Sequence, residues 1–320
     1  MEASTLPVSI CAVVPLFNKE DAIEATIRSV LHQTRLPDEL ILVDDGSSDG
    51  SLARAEQALS EVAKHVHCQL IRQENAGVSV ARNRGANATK SRYIAFLDAD
   101  DEWHPTYLAE VERLARAFPD AGVLTIGHMR QSEDGRRSPV PSALASDYFG
   151  IVDRFIDTYR RGYGLIHTSA TTVRRDAWDR SGGFPVGARK SQDVYLWLKL
   201  GLAETVAHSA APLSVWHDEH TGVIRRKGVV PQHFQYFLGT PEGRKALSND
   251  DLAGFLASNL VVSIGSHRTV GDSDVVPELR RLSAVLPISA RLKCWAASVI
   301  PLPVLHGMGR WRRRSRNPGQ

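Results

Sequence analysis

Tyr93-Ile94-Ala95-Phe96-Leu97-Asp98-Ala99-Asp100-Asp101 is an apolar run that ends abruptly in carboxylates. The run reads as a buried parallel strand, with the acids where the chain leaves the sheet. In open α/β sheets, ligands bind outside the carboxyl ends of the strands. Acids gathered there repel one another and raise their own pKa values unless a cation joins them. Asp98 and Asp100 are two apart, so an extended chain points both to one side. Oxygen ligands in this arrangement suit Mg²⁺ or Mn²⁺, with phosphate oxygens completing the shell. The plain alternative is a solvated turn, since Asp is common in loops.

Working outward, strand and helix alternate from residue 9 to about 126. Ser9 to Val14, Leu40 to Val43, Val66 to Ile71 and Gly122 to Ile126 read as further strands. Pro15 and Asn18 close the first, and Asn18 caps a helix carrying Ile23, Ile27, Val30 and Leu31. Leu52, Ala55, Leu59 and Val62 share one helix face, and Leu108, Val111, Leu114, Ala115 and Phe118 share another. The alternation predicts an α/β fold, a mostly parallel Rossmann-like sheet flanked by helices. Asp44-Asp45 ends a strand as Asp98 to Asp101 does, so both acid groups fall on one sheet edge.

Beyond residue 126 the pattern loosens. Gln131 to Ser146 is polar and contains proline, as a surface loop or lid would. Asp153 to Arg161 reads as a helix, Ala170 to Arg174 as a strand, and Val206 to Val215 as short strand-like pieces. Ser191-Gln192-Asp193 precedes an apolar helix from Val194. From Gly228 to about Leu286 the signals are weak, apart from a helix carrying Leu252, Phe255, Leu256, Leu260 and Ile264. The division expected is a catalytic domain over 1–225, with a nucleotide-binding part at 8–126 and an acceptor part at 127–225. A helical region over 226–320 follows it.

With 320 residues the chain makes one large or two modest domains. Cys11, Cys68 and Cys294 are odd in number and widely spaced, forming neither a disulfide framework nor a zinc pattern, which suggests a reducing compartment. Met1 to Pro7 has no basic n-region, so a secretory signal is not expected. Of the net charge of +3, five positive charges sit at Arg310, Arg312, Arg313, Arg314 and Arg316, leaving −2 for the rest. A basic tail on a slightly acidic body argues against a nucleic-acid binder, which spreads charge over a groove or face.

Four groups carry candidate chemistry. Asp44 and Asp45, backed by Gly46, are placed to accept from a nucleobase N–H or a sugar hydroxyl; ordinary turn acids are the alternative. Asn75-Ala76-Gly77 opens a helix bearing Arg82, Asn83 and Arg84, where a helix start beside basic side chains favours phosphate. It is neither a Walker loop nor a dinucleotide fingerprint, and a solvated basic face is the alternative. Asp193 is the candidate general base, with helix capping as the alternative. His217 is a third metal ligand at most, a lone histidine being more often structural.

These pieces together resemble the family 2 glycosyltransferases of GT-A fold. The resemblance runs from Val13-Val14-Pro15-Leu16-Phe17-Asn18 through Val43-Asp44-Asp45-Gly46-Ser47-Ser48-Asp49, Asn75-Ala76-Gly77 and Ala81-Arg82-Asn83-Arg84-Gly85. It culminates in Phe96 to Asp101 and Trp103-His104-Pro105, with a later echo in Gly182-Gly183-Phe184 and Gln192-Asp193. The resemblance implies an inverting, hexosyltransferase-like enzyme using a nucleotide-diphospho-sugar, a UDP-sugar first among them. It implies a donor site drawn from Pro15, Phe17, Asn18, Asp44, Asp45, Asn75, Gly77, Arg82, Asn83, Asp98 and Ala99. Asp98 and Asp100 match the family's Asp-X-Asp element, holding Mn²⁺ or Mg²⁺, and Asp193 matches its base. The acid usual before that base is Gln192 here. The alternatives are a sugar-phosphate nucleotidyltransferase and a non-catalytic sugar-nucleotide-binding scaffold.

Cys294 to Leu305 is uncharged and mostly apolar, shorter than the about 20 residues that span a bilayer. Arg291 and Lys293 precede it and the arginine cluster follows. Residues 291–316 therefore read as a segment lying on an anionic membrane surface, or as a core helix with a basic tail. The first reading places a cytoplasmic protein on the inner face of the cell membrane. It suits a lipid-linked or carbohydrate acceptor in bacterial surface-polysaccharide or glycolipid synthesis, as the resemblance implies.

Overall fold

A computed structural model describes residues 7–62, 66–217, 228–269 and 271–300. The chain divides into two compact units: Met1–Ala188 with Tyr195–Ile224, and Arg189–Val194 with Arg225–Gln320.

The first unit is built on one sheet. Its strands are β1 (Ile10–Leu16), β2 (Glu39–Asp44), β3 (His67–Arg72), β4 (Tyr93–Phe96), β5 (Glu102–Trp103), β6 (Val123–Gln131), β7 (Arg137–Pro139), β8 (Phe149–Ile151), β9 (Thr171–Arg174) and β10 (Val206–His217). The helices between them are α1 (Ile23–Leu31), α2 (Ser51–Val62), α3 (Val78–Ala88), α4 (Tyr107–Ala117), α5 (Phe155–Arg161), α6 (Arg175–Ser181) and α7 (Gln192–Ala203), of which residues 192–194 are counted with the second unit. The sheet order is β3-β2-β1-β4-β9-β6-β10-β5. Strands β3, β2, β1 and β4 are parallel, as the alternation predicts. Beyond them β9 runs antiparallel to both β4 and β6, so the sheet is mixed in its second half.

Residue chemistry explains the elements and four departures from expectation. Every residue of β1 is buried, which a central parallel strand covered on both faces requires. Pro15 does not end β1. The Val13 carbonyl accepts from Leu97 N, and pairing with β4 stops at Val13↔Phe96, so Pro15 lacks its N–H where no neighbour needs it. Asn18 does not cap α1. It lies in the left-handed region at φ 50°, and its Oδ1 accepts from Ser48 N at 2.9 Å, tying the β1 loop to the β2 loop. Within 131–146, β7 pairs with β6, so this stretch extends the sheet. The pieces at 206–215 form one long strand broken by two register shifts around Pro212.

In the second unit lie α8 (Gln232–Gly239), α9 (Pro241–Lys245), α10 (Asp250–Thr269), α11 (Val276–Leu282) and α12 (Ile288–Val299). Phe234, Phe237, Phe255, Leu256, Leu260, Ile264, Leu279 and Cys294 are buried here. The sequence showed α10 alone with clarity. Among the described residues no helix is long and apolar enough to cross a membrane. Of the segment 291–316, residues 301–316 lie outside the described residues.

Candidate active site

Because β2, β1 and β4 are parallel neighbours, their carboxyl ends bring Asp44–Gly46, Pro15–Asn18 and Asp98–Asp101 to one edge of the first unit. Asp98 and Asp100 there are each held by a cation. Arg82 Nη2 donates to Asp98 Oδ1 at 2.5 Å. Arg82 is buried, its guanidinium lies 5.0 Å from the Phe184 ring centre, and its Nε and Nη1 have no partner among the described residues. It therefore props Asp98 from beneath instead of reaching outward. Lys19 Nζ donates to Asp100 Oδ2 at 2.5 Å. Asp98 Oδ2 and Asp100 Oδ1 are left without a partner among the described residues.

Asp101 is different. It is 1% exposed, and burial, followed by the charges of Asp98 and Asp100, pushes its carboxyl well above the usual range. Ser169 Oγ donates to its Oδ2 and His217 N donates to its Oδ1. The same Ser169 Oγ accepts from Asp98 N at 3.1 Å, and the Ser169 carbonyl accepts from Trp103 Nε1 at 2.6 Å. Ser169 thus ties the acid turn to the strand ends behind it. Asp101 is the structural member of the three acids. Neither Ser169 nor Lys19 was found from sequence, since their partners lie 71 and 81 residues away.

A divalent cation fits this donor set. Mg²⁺ is ordinarily held by one or two carboxylates, with substrate phosphates and water supplying the rest. The oxygens left by the two ion pairs, Asp98 Oδ2 and Asp100 Oδ1, are such a pair. His217 is not gathered with them: among the described residues no three acidic, histidine or cysteine side chains form a metal-holding group. Its Nε2 lies 3.1 Å from Glu102 Oε1, an interaction that holds the Glu102 carboxyl below its usual range.

The expected phosphate seat at α3 is filled by the protein itself. Asp45 Oδ1 accepts from Gln73 Nε2 at 2.7 Å and Ala76 N at 2.8 Å, and its Oδ2 accepts from Gly77 N at 2.8 Å. The anion at this helix start is Asp45, and its work is to hold Asn75–Gly77 in place. Gly46, at φ 77°, allows the approach: a Cβ there would sit 2.9 Å from Asn75 N. Asn83 is likewise committed, its amide exchanging two 2.8 Å bonds with the Phe184 backbone. Asp44 spends one oxygen on Ser47 N at 3.1 Å. Phe17, 44% exposed, is open at this corner, while Asp44 is buried with its second oxygen left over. Pro15 is buried, and so is Ala99, whose carbonyl accepts from Thr26 Oγ1.

Asp193 stands in the first turn of α7, which starts at Gln192, so it is not the capping residue. It belongs with the second unit. Ser191 before it is left-handed at φ 57°. Within that unit the segment is clamped: Lys190 O accepts from Gln232 N at 2.9 Å, and Lys190 Nζ lies 3.2 Å from His267 Nε2. His267 Nδ1 in turn lies 2.7 Å from Asp272 Oδ2. A cavity of about 500 Å³ in this unit is bordered by Arg189, Gln235, Glu278 and Arg281, and by none of the acid-edge residues.

Residues 11–179, over half the chain, match the family model described as Glycosyl transferase family 2. The chain belongs to glycosyl transferase family 2. The matched span holds β1 to β4 and the whole acid edge. Glycosyltransferase YibD of Escherichia coli (strain K12) is 41% identical over 97 residues, 30% of this chain and 27% of YibD. The amylovoran biosynthesis glycosyltransferase AmsB of Erwinia amylovora is 29% identical over 175 residues, 53% of this chain and 56% of AmsB. The chain thus spans less than two thirds of either relative. Among solved structures, S. aureus TarS 1-349 in complex with UDP-GlcNAc superposes with a TM-score of 0.71 at 17% identity, covering 95% of this chain and 92% of that one. At that identity the likeness is one of fold, and the fold of this family 2 member is GT-A.

Proposed function

We propose that the protein transfers a sugar from a nucleotide-diphospho-sugar, a UDP-sugar first among them, to an acceptor hydroxyl with inversion. The observation that carries this reading is the pair Asp98 and Asp100. Each is anchored by one oxygen to a cation, while its second oxygen stays without a described partner. The fold likeness to TarS, solved with UDP-GlcNAc, supports the same donor class.

Asp44 accepts from the base or ribose, and the exposed Phe17 ring gives the base an apolar wall. Asp98 and Asp100 would hold Mn²⁺ or Mg²⁺ against the diphosphate, where the ion supplies a Lewis acid to offset charge developing on the leaving group. Lys19, beside Asp100, adds a positive charge fixed before the reaction begins. Arg82 fixes the Asp98 carboxylate, and Ser169 fixes the turn. Asp193 takes the proton of the acceptor hydroxyl as it attacks the anomeric carbon from the face opposite the leaving group. One displacement inverts that carbon. An acceptor in surface-polysaccharide synthesis is supported by relatives such as AmsB, named for amylovoran biosynthesis.

The test is a release assay for nucleoside diphosphate across a panel of sugar nucleotides with Mg²⁺ or Mn²⁺. Metal-dependent hydrolysis of at least one donor is expected, and none from any donor would overturn the reading. Asp193→Asn is expected to retain donor binding and lose transfer by roughly a hundredfold or more.

A further inference from the structure

Helix α12 wears its apolar residues the wrong way round for a core helix. Its buried side is made of small residues, Ala290, Cys294 and Ala297, packed toward α10. Its large apolar residues face outward: Ile288 is 71% exposed, Leu292 61%, Trp295 53% and Val299 46%. Spaced four, three and four apart, these fall within an arc of about 60° on a helix of 3.6 residues per turn. An amphipathic helix of a soluble fold turns such a stripe inward. Single exposed apolar residues are ordinary, but four in a row on one helix face mark a contact surface.

The helix is held so that this face is presented. Arg268 Nη1 of α10 donates to the carbonyls of Ala297 at 2.7 Å and Ile300 at 2.8 Å, fixing the last turn. Charge names the occupant. From Leu279 to Gln320 there is no Asp or Glu, while Arg280, Arg281, Arg291, Lys293, Arg310, Arg312, Arg313, Arg314 and Arg316 are all basic. On α12 itself, Arg291 and Lys293 flank Leu292 and are exposed. An apolar stripe with a central Trp, bordered by cations and by no acid, complements a surface that is apolar below and anionic above. A polybasic segment adds attraction to anionic headgroups, and the helix lies along the interface.

We propose that the outward face of α12, Ile288, Leu292, Trp295 and Val299, inserts into an anionic lipid bilayer. The seat differs from the sequence expectation: it begins at Ile288 and is the exposed face of a packed helix. It stands on observations separate from the catalytic reading, and its test does not depend on turnover.

The full chain is sedimented with vesicles of phosphatidylglycerol and phosphatidylcholine in equal parts, and with phosphatidylcholine alone. Binding to the anionic vesicles is expected, with Trp295 emission shifting to the blue, a change absent in Trp295→Phe. Leu292→Glu with Trp295→Glu is expected to weaken partitioning on the order of a hundredfold, about tenfold for each apolar side chain lost from the interface. Since both positions are exposed, the double variant should keep the wild-type melting curve and donor hydrolysis. Equal binding by the double variant, or no binding by wild type, would overturn the proposal. So would a wild-type dimer in sedimentation equilibrium that the double variant abolishes, which would give the face to a second copy.

Discussion

At the residue scale, the three acids after β4 separate by environment. Asp98 and Asp100 keep an oxygen for a ligand, while Asp101 is sunk among Ser169, the His217 backbone and the negative charge of its neighbours. Ser169→Ala removes one donor and one acceptor from buried partners, and is expected to cost about 1–3 kcal/mol in urea unfolding. An unchanged unfolding midpoint would show that the serine is not the tie described. The acid pair was legible in sequence because an apolar run stops at a strand end and alternation sets direction. Asp45 and Asn83 were not legible in the same way. A motif gives the residue type, but whether a carboxylate faces a ligand or its own loop is decided by backbone amides such as Ala76 N and Gly77 N.

Among elements, α3 and the segment before α7 set the positions that matter. Gly85 lets α3 lie on the sheet, since a Cβ there would meet Val13 Cγ1 at 2.5 Å and Val43 Cγ2 at 3.2 Å. Alanine would gain at most about 1 kcal/mol of helix propensity. Overpacking a β-branched residue of the buried central strand costs about 1–3 kcal/mol, so Gly85→Ala is expected to lower the melting temperature; an equal or higher value would contradict the packing. Before α7, the Lys190–His267–Asp272 chain holds the residues that lead to Asp193. Lys190 Nζ and Asp272 Oδ2 thus sit on the two ring nitrogens of His267. His267→Ala is expected to lower kcat roughly tenfold at unchanged donor KM, with His267→Gln recovering part of the loss. Equal loss in Gln and Ala, or a rise in KM alone, would argue for a general structural role.

On the scale of the whole molecule, a TM-score of 0.71 at 17% identity shows that apolar pattern, and not residue identity, carries this fold. The first part of this unit was legible for that reason: β1, β2 and β4 are apolar runs, and α1 and α4 each bury one apolar face. The second unit was obscure because α8, α9 and α11 are short and α12 exposes its largest apolar residues. Three buried histidines set the acid limit of stability. Burial pushes His128 down to about 3, His208 to about 4 and His233 to about 3. Unfolded histidine titrates near 6.5, so the unfolded state takes up protons first. The stability these residues contribute is complete above that value and is lost as pH falls from about 6.5 toward 4, by up to about 1.4 kcal/mol per pH unit for each. Asp101, raised by burial, acts in the opposite sense but is one group against three. The melting temperature is therefore expected to fall between pH 7 and pH 5, and a flat profile would contradict the buried neutral imidazoles.

The central claim is that Asp98 and Asp100 hold a nucleotide-sugar diphosphate through a divalent cation. Calorimetric titration of UDP into wild type and into Asp100→Asn, each with and without Mn²⁺, tests it most directly. The account predicts binding to wild type that requires Mn²⁺, and its loss in Asp100→Asn with the melting curve preserved. Equal affinity in the variant, or binding indifferent to Mn²⁺, would contradict it.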